Sequence, residues 1–341
     1  MQQKNNLNTG LVLLAAGFGT RFGGNKQLRA IGPENAMIMD YTIYDAWRIG
    51  YSWVTVILRD EIADEFKREV GQRWQDKIEL RYSIQSGEAH VPDKFLAAPY
   101  VTQRSKHWGT AHALLCAAEQ VDGPFAVTNA DDFYGYHGLE KIFSFLRETV
   151  LPEQNAPAKP DAILRQSMVS FRLDRTLSEN GTVSRGICHT YFDPQGREWL
   201  DNIREHTQLI RGKDSKIHSI QGESGDDLIL NDETPVSMNL FGLQPQIFPH
   251  LQRQFETFLQ GLEDNIGKES LEQTLKKEFY LPSVVETMLK AGQTEVAMLH
   301  SPDPWFGLTY LEDLATARQH MEQLIRALQY PAKLFAPGTA S

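Results

Sequence analysis

LVLLAAGFGTRFGGNKQL, Leu11 to Leu28, passes from an unbroken apolar run into a loop with four glycines, one arginine and one lysine. Leu11 to Ala15 is far too short to span a membrane, and its length suits a central strand of a parallel sheet, covered on both faces. Gly17, Gly19, Gly23 and Gly24 free the backbone to bend where a Cβ would obstruct it, so that successive N–H groups can converge on an anion. Arg21 and Lys26 add two cations to that concavity, an arrangement suited to a polyphosphate. A plain turn is the alternative, but two cations in one glycine loop repel each other unless an anion or solvent faces them.

Two other anion loops fit poorly. A Walker A loop needs Ser or Thr after its lysine, whereas Gln27 follows Lys26. The dinucleotide fingerprint requires G-x-G-x-x-G, whereas Gly17, Gly19 and Gly23 are spaced G-x-G-x-x-x-G.

Outward from this stretch, the pattern alternates. Met37 to Tyr51 carries apolar residues at helical spacing, with Ile38, Tyr41, Ile43, Tyr44 and Trp47 expected in the core. Trp53 to Arg59 is a β-branched strand, followed by a helix over 61–74 and a strand over 78–84. Strand, helix, strand predicts a doubly wound parallel sheet. The span from Gln85 to Trp108 reads as a loop over the carboxyl edge, leading into a helix at Gly109 and Thr110. There Thr110 can cap the helix, or its hydroxyl and the nearby N–H groups can meet a ligand. His112 reads as a packed helix residue. The strand from Gly123 ends at Asp131 and Asp132. Neighbours on an extended chain point apart, so both can face one ligand only if the strand has already stopped. A carboxylate at such a strand end suits magnesium, which takes few carboxylates and bridges phosphate oxygens. A helix cap is the alternative, above all for Asp132.

LAAGFGTRFGGNKQL resembles the signature of the nucleotidyltransferases that join a nucleoside triphosphate to a sugar 1-phosphate or similar ester, L-A-A-G-x-G-[TS]-R followed by Lys. Membership implies a Rossmann-like, glycosyltransferase-A-like mixed sheet with a β-rich acceptor-binding subregion. It implies Mg²⁺, a nucleoside triphosphate and a sugar 1-phosphate, with UTP favoured, and release of pyrophosphate. On this resemblance Ala15, Ala16, Gly17, Gly19 and Thr20 wrap the triphosphate, while Arg21 and Lys26 neutralise and align its phosphates. G-T-[GA]-H-A resembles the second signature, which assigns Gln103, Gly109 and Thr110 to the nucleobase. Asp131 becomes the metal ligand, with Asp132 orienting the acceptor. An E-N-G-T-V-S-R-G turn, a glutamate after a strand and an asparagine in an apolar strand resemble the acceptor half, which assigns Gly186, Glu205 and Asn239 to the acceptor. Relatives carry a second metal ligand just before the last helix. Here Thr309 and Tyr310 occupy the matching place, leaving Asp313 as the candidate or else a residue that charges the first helical turn. A cytidylyltransferase acting on a phosphoalcohol such as phosphocholine, or a non-catalytic nucleotide sensor, are the alternatives.

The nucleotide half is expected over 8–150, the acceptor half over 151–310 after a proline-rich linker, a terminal helix over 311–330 and a tail over 331–341. A net charge of −10 over 341 residues argues against a nucleic-acid partner. The two cysteines, Cys116 and Cys188, lack any metal spacing. With a polar N-terminus and no long apolar run, the expected setting is the cytoplasm, without a membrane partner.

Overall fold

The computed structural model describes residues 8–17, 30–150, 163–178, 181–220, 228–308 and 312–335. Strand β1 (Gly10–Leu14) is wholly buried and lies between two parallel neighbours. After helix α1 (Ile38–Ile49) comes β2 (Trp53–Leu58), then α2 (Asp60–Phe66), β3 (Glu79–Ile84), α3 (Thr110–Cys116) and β4 (Phe125–Asn129). The order β4-β1-β2-β3 is parallel throughout. Alternation along β1 serves both faces: Leu11 and Leu13 pack with α1, while Val12 and Leu14 pack with Ala111 and Leu114 of α3. The expected central strand, buried on both sides, is therefore present, as is the helical core position of Ile38, Tyr41, Ile43 and Tyr44. Trp47 is only partly buried.

The open doubly wound sheet expected for the whole chain is wrong. After β5 (Asp132–Phe133) and α4 (Tyr136–Phe145) come β6 (Leu164–Arg172), β7 (Val183–Phe192), β8 (Glu198–Arg211), β9 (Ile217–Ser219), β10 (Leu228–Leu230) and β11 (Pro235–Leu243). Helices α5 (Phe248–Glu263) and α6 (Leu281–Lys290), strands β12 (Thr294–His300) and β13 (Phe306–Gly307), and helix α7 (Asp313–Arg326) complete the described elements used below. Strands β6, β12, β8, β7 and β11 pair in turn, and β11 pairs again with β6, closing a five-stranded barrel. A Rossmann-like sheet keeps two free edges, whereas this ring has none among its own members.

Closure has a local cause. One edge of β11 pairs with β4 at Phe241–Leu243 and with β7 at Val236 and Ser237, while β6 runs along the other edge. The change of partner falls at a register shift between Ser237 and Phe241, where Asn239 adopts a left-handed φ of 62°. Such a bulge bends and twists its strand, and here the bend turns a flat continuation into a ring. Strand β8 runs unbroken from Glu198 to Arg211, and the polar stretch that follows it contains β9 and β10.

Among the described residues no helix is long and apolar enough to cross a membrane. Phe241 is fully buried where the parallel strands meet the ring, pairing with Val127 on one side and Met168 on the other. Phe241→Ala is expected to cost about 3–5 kcal/mol, read as a lower midpoint in chemical denaturation.

Candidate functional site

The glycine stretch leaves β1 between the ends of its two neighbours. Ala15 N–H donates to the Ile57 carbonyl at 3.0 Å, and Ala130 N–H donates to the Leu14 carbonyl at 3.2 Å. Ala15 and Ala16 are buried and Gly17 is exposed, so the chain turns outward at this carboxyl edge. Gly19, Thr20, Arg21 and Lys26 lie outside the described residues.

Across from Gly17, β4 stops at Asn129, before the two carboxylates. Asp131 is half-buried, and its carbonyl accepts the Leu308 N–H at 3.3 Å. Asp132 turns inward as the first residue of β5, which pairs with β13. Its Oδ2 accepts from Asn129 Nδ2 at 2.8 Å and lies 3.2 Å from the Tyr134 hydroxyl, which donates to the Met238 carbonyl at 2.7 Å. Burial, then the Asp131 charge, raises the Asp132 carboxyl to about 7. The Tyr134 hydroxyl faces both the Met238 carbonyl and Asp132 Oδ2 and has one proton for the two acceptors. Asp132 does not cap α4: the His137 N–H at that helix's start is taken by Asp303 Oδ2 at 2.6 Å.

Through Met238 this pair reaches the residues expected to meet the acceptor. Asn239 follows Met238 in the bulge, in a conformation that asparagine tolerates better than most side chains. Ser237 pairs with Gly186, and Gly186 pairs with Glu205. A Cβ on Gly186 would lie 2.7 Å from Ile203 and 3.6 Å from Glu205 Oε2. Asp131, Asp132, Gly186, Glu205 and Asn239, up to 108 positions apart in sequence, therefore share one region.

The sequence reading missed two neighbours. Arg185 precedes Gly186, is nearly buried, and feels the charges of Asp132 and Glu205. Its guanidinium lies 4.9 Å from the centroid of the Trp305 ring. Trp305 is also nearly buried and is followed closely by Gly307, where a Cβ would strike Asp132 Oδ1 and press on the Trp305 ring. The tryptophan-bearing loop was visible as PDPWFG, but only the β5–β13 pairing brings it to Asp132.

The base-reading expectation divides. Gly109 adopts φ 110°, and a Cβ there would lie 2.6 Å from the Phe279 carbonyl, so both conformation and space demand glycine. Thr110 Oγ1 accepts the Leu281 N–H at 3.0 Å, satisfying an orphan donor of α6 rather than of its own helix. Gln103 is exposed at the end of a short helix over 99–102, and its neighbour Arg104 donates to the Leu275 and Lys277 carbonyls. The glutamine beside Gly109 is Gln85, buried at the end of β3, whose Nε2 contacts the Gly109 carbonyl at 3.2 Å and His112 Nδ1 at 3.1 Å. His112 is fully buried, donates from Nε2 to the Ala89 carbonyl at 2.8 Å, and is held near pKa 4 by burial, so it packs as a neutral ring. Trp108 Nε1 donates to the Gly87 carbonyl at 2.7 Å and ties the two ends of the long excursion together.

Among the described residues no group of three or more His, Cys, Asp and Glu is poised to hold a metal. Magnesium asks for less, one or two carboxylates completed by waters and phosphate oxygens. Asp131 is a half-buried carboxylate just past the end of a parallel strand, and its donor chemistry fits Mg²⁺ in that way. Asp313 begins α7, where its charge also suits the amino-terminal dipole. Thr309 and Tyr310 lie outside the described residues.

Comparison with known proteins returns no matching family model and no matching curated protein.

Asp132 holds its proton to about pH 7 when folded but only to about pH 4 when unfolded. Above pH 4 the unfolded chain binds fewer protons, so stability falls as pH rises to about 7, by at most about 1.4 kcal/mol per unit. Asp132→Asn is expected to flatten that decline, measured by denaturation midpoints between pH 4 and 8.

Proposed function

We propose that the protein is a nucleotidyltransferase that joins a nucleoside triphosphate, with UTP favoured, to a sugar 1-phosphate and releases pyrophosphate. The observation that carries this reading is one of position. Leu14 to Gly17, the described start of the L-A-A-G-x-G-T-R motif, leave a buried parallel strand whose end is hydrogen-bonded next to the Asp131 strand end. An anion-binding loop and a metal-binding carboxylate at one sheet edge are what the transfer needs.

An ionised phosphate oxygen of the acceptor attacks the α-phosphorus, a new P–O bond forms, and the bond between the α-phosphorus and the bridging oxygen breaks. The electron pair leaves with pyrophosphate, and no proton has to move. Alignment and neutralisation of charge therefore dominate the barrier. On this reading Arg21 neutralises the departing pyrophosphate and Lys26 holds the phosphates in line. Asp131 would hold Mg²⁺, which when bound supplies positive charge to the phosphate oxygens. Asp132, whose ionisation burial disfavours, orients the acceptor beside Asp131. Gly186, Glu205 and Asn239 stand beside it as contacts for the acceptor hydroxyls. Gly109 and the neighbouring Gln85 offer the nucleobase an edge.

A grid of four triphosphates against sugar 1-phosphates and phosphocholine, scored by pyrophosphate release, tests this. UTP with a sugar 1-phosphate is expected to be the productive pair. Lys26→Ala and Asp131→Ala should each lower turnover by about 10²–10³-fold at an unchanged melting temperature. Undiminished activity in either variant, or in excess EDTA, would refute the assignment.

A further inference from the structure

Arg185 and Trp305 hold more hydrogen-bond donors than the protein uses. Arginine has five N–H groups. In Arg185, Nε and Nη2 both point to the Thr176 carbonyl, the former at 3.1 Å, and Nη1 donates to the Ser184 carbonyl at 2.8 Å. Three of the five are thus spent on backbone carbonyls, leaving two without an acceptor among the described residues. The Trp305 indole N–H is buried and likewise has no partner there. A buried donor left unmet costs free energy, so the orphaned indole N–H, beside a guanidinium with two N–H groups to spare, calls for an acceptor-rich group.

Charge points the same way. The carbonyls that Arg185 touches are neutral, and among the described residues no carboxylate lies within ion-pair distance of its guanidinium. Burial lowers its pKa to about 10, and the charges of Asp132 and Glu205 offset that only in part. An oxyanion would complete the site, and the planar guanidinium suits phosphate. Position selects the phosphate: Arg185 adjoins Gly186, and Trp305 adjoins the Gly307–Asp132 pair, next to Asp131.

We propose that Arg185 and the Trp305 indole N–H form the subsite that grips the acceptor's phosphate. The identity of that phosphate rests on the transfer reading above, whereas the subsite itself does not. These two residues position the nucleophilic oxygen and offset its charge as it approaches the triphosphate. A neutral acceptor lacking phosphate gains nothing from them.

The test uses inorganic phosphate as the probe, titrated calorimetrically into the full chain with no nucleotide present. Trp305→Phe keeps the ring over Arg185 and deletes only the donor; Arg185→Lys keeps the charge and loses the fork. A Lys26→Ala background reduces the contribution of phosphate binding at the glycine loop. Each subsite variant is expected to weaken phosphate binding by about tenfold, the size of one hydrogen bond to a charged group. Trp305→Phe should leave the melting temperature nearly unchanged, whereas Arg185→Lys, which gives up bonds to the Thr176 and Ser184 carbonyls, lowers it, so binding is compared well below both transitions. Acetate should compete weakly, which separates a phosphate subsite from a general carboxylate one. If a variant binds phosphate as tightly as its parent, or acetate binds as well as phosphate, the subsite is refuted. If phosphate binding depends on Trp305 but no acceptor yields pyrophosphate, the subsite stands and the transfer reading falls.

Discussion

The change of partner along β11 governs this molecule. Before the bulge its free edge belongs to β7, and beyond it to β4, with β6 on the other side throughout. One strand therefore belongs both to the parallel sheet and to the closed ring. The left-handed Asn239 sits at the changeover, so the residue that makes the junction possible also stands in the candidate site. A straight β11 would carry the sheet onward and leave Gly186 and Glu205 remote from Asp132.

Electrostatics at that junction are built from unequal neighbours. Asp131 is half-buried while Asp132 lies inside, and burial, then the Asp131 charge, raises the pKa of the inner carboxyl. Arg185 lies within reach of Asp132 and Glu205 but spends its donors on backbone carbonyls. Among the described residues the Arg185 guanidinium thus makes no close ion pair, although two carboxylates lie near it. Such an arrangement favours highly charged ligands, whose own charge completes the balance.

The parallel strands were more legible in the sequence than the ring. Leu11 to Ala15 and Trp53 to Leu58 are short apolar runs separated by a helical pattern, and local periodicity suffices to order them. The ring depends on pairings far apart in sequence, including the single Ala297–Trp199 contact that joins β12 to β8. No local pattern encodes that contact, which is why an open sheet was expected. Asp131 and Asp132 could be found as a strand end, but their different burial follows from Tyr134, Asn129 and Gly307. Arg185 was hidden beside a glycine that drew attention first. The family resemblance assigns Gln103 to the base, whereas folding places Gln85, the more distant glutamine, against Gly109.

The bond from Trp108 Nε1 to the Gly87 carbonyl has a consequence for how this chain tolerates change. It pins together two points 21 residues apart, and His112 adds a second tie to Ala89. The intervening excursion is not a free loop: Val91, Phe95, Tyr100 and Val101 are buried in the same apolar cluster as Trp108, and Tyr100 donates to Glu263 Oε2 at 2.8 Å. Its ends and its interior are held together, so a change inside it is felt at Gly109 and Thr110 through packing rather than through chain entropy. In this stretch separation along the chain carries little information about distance in space.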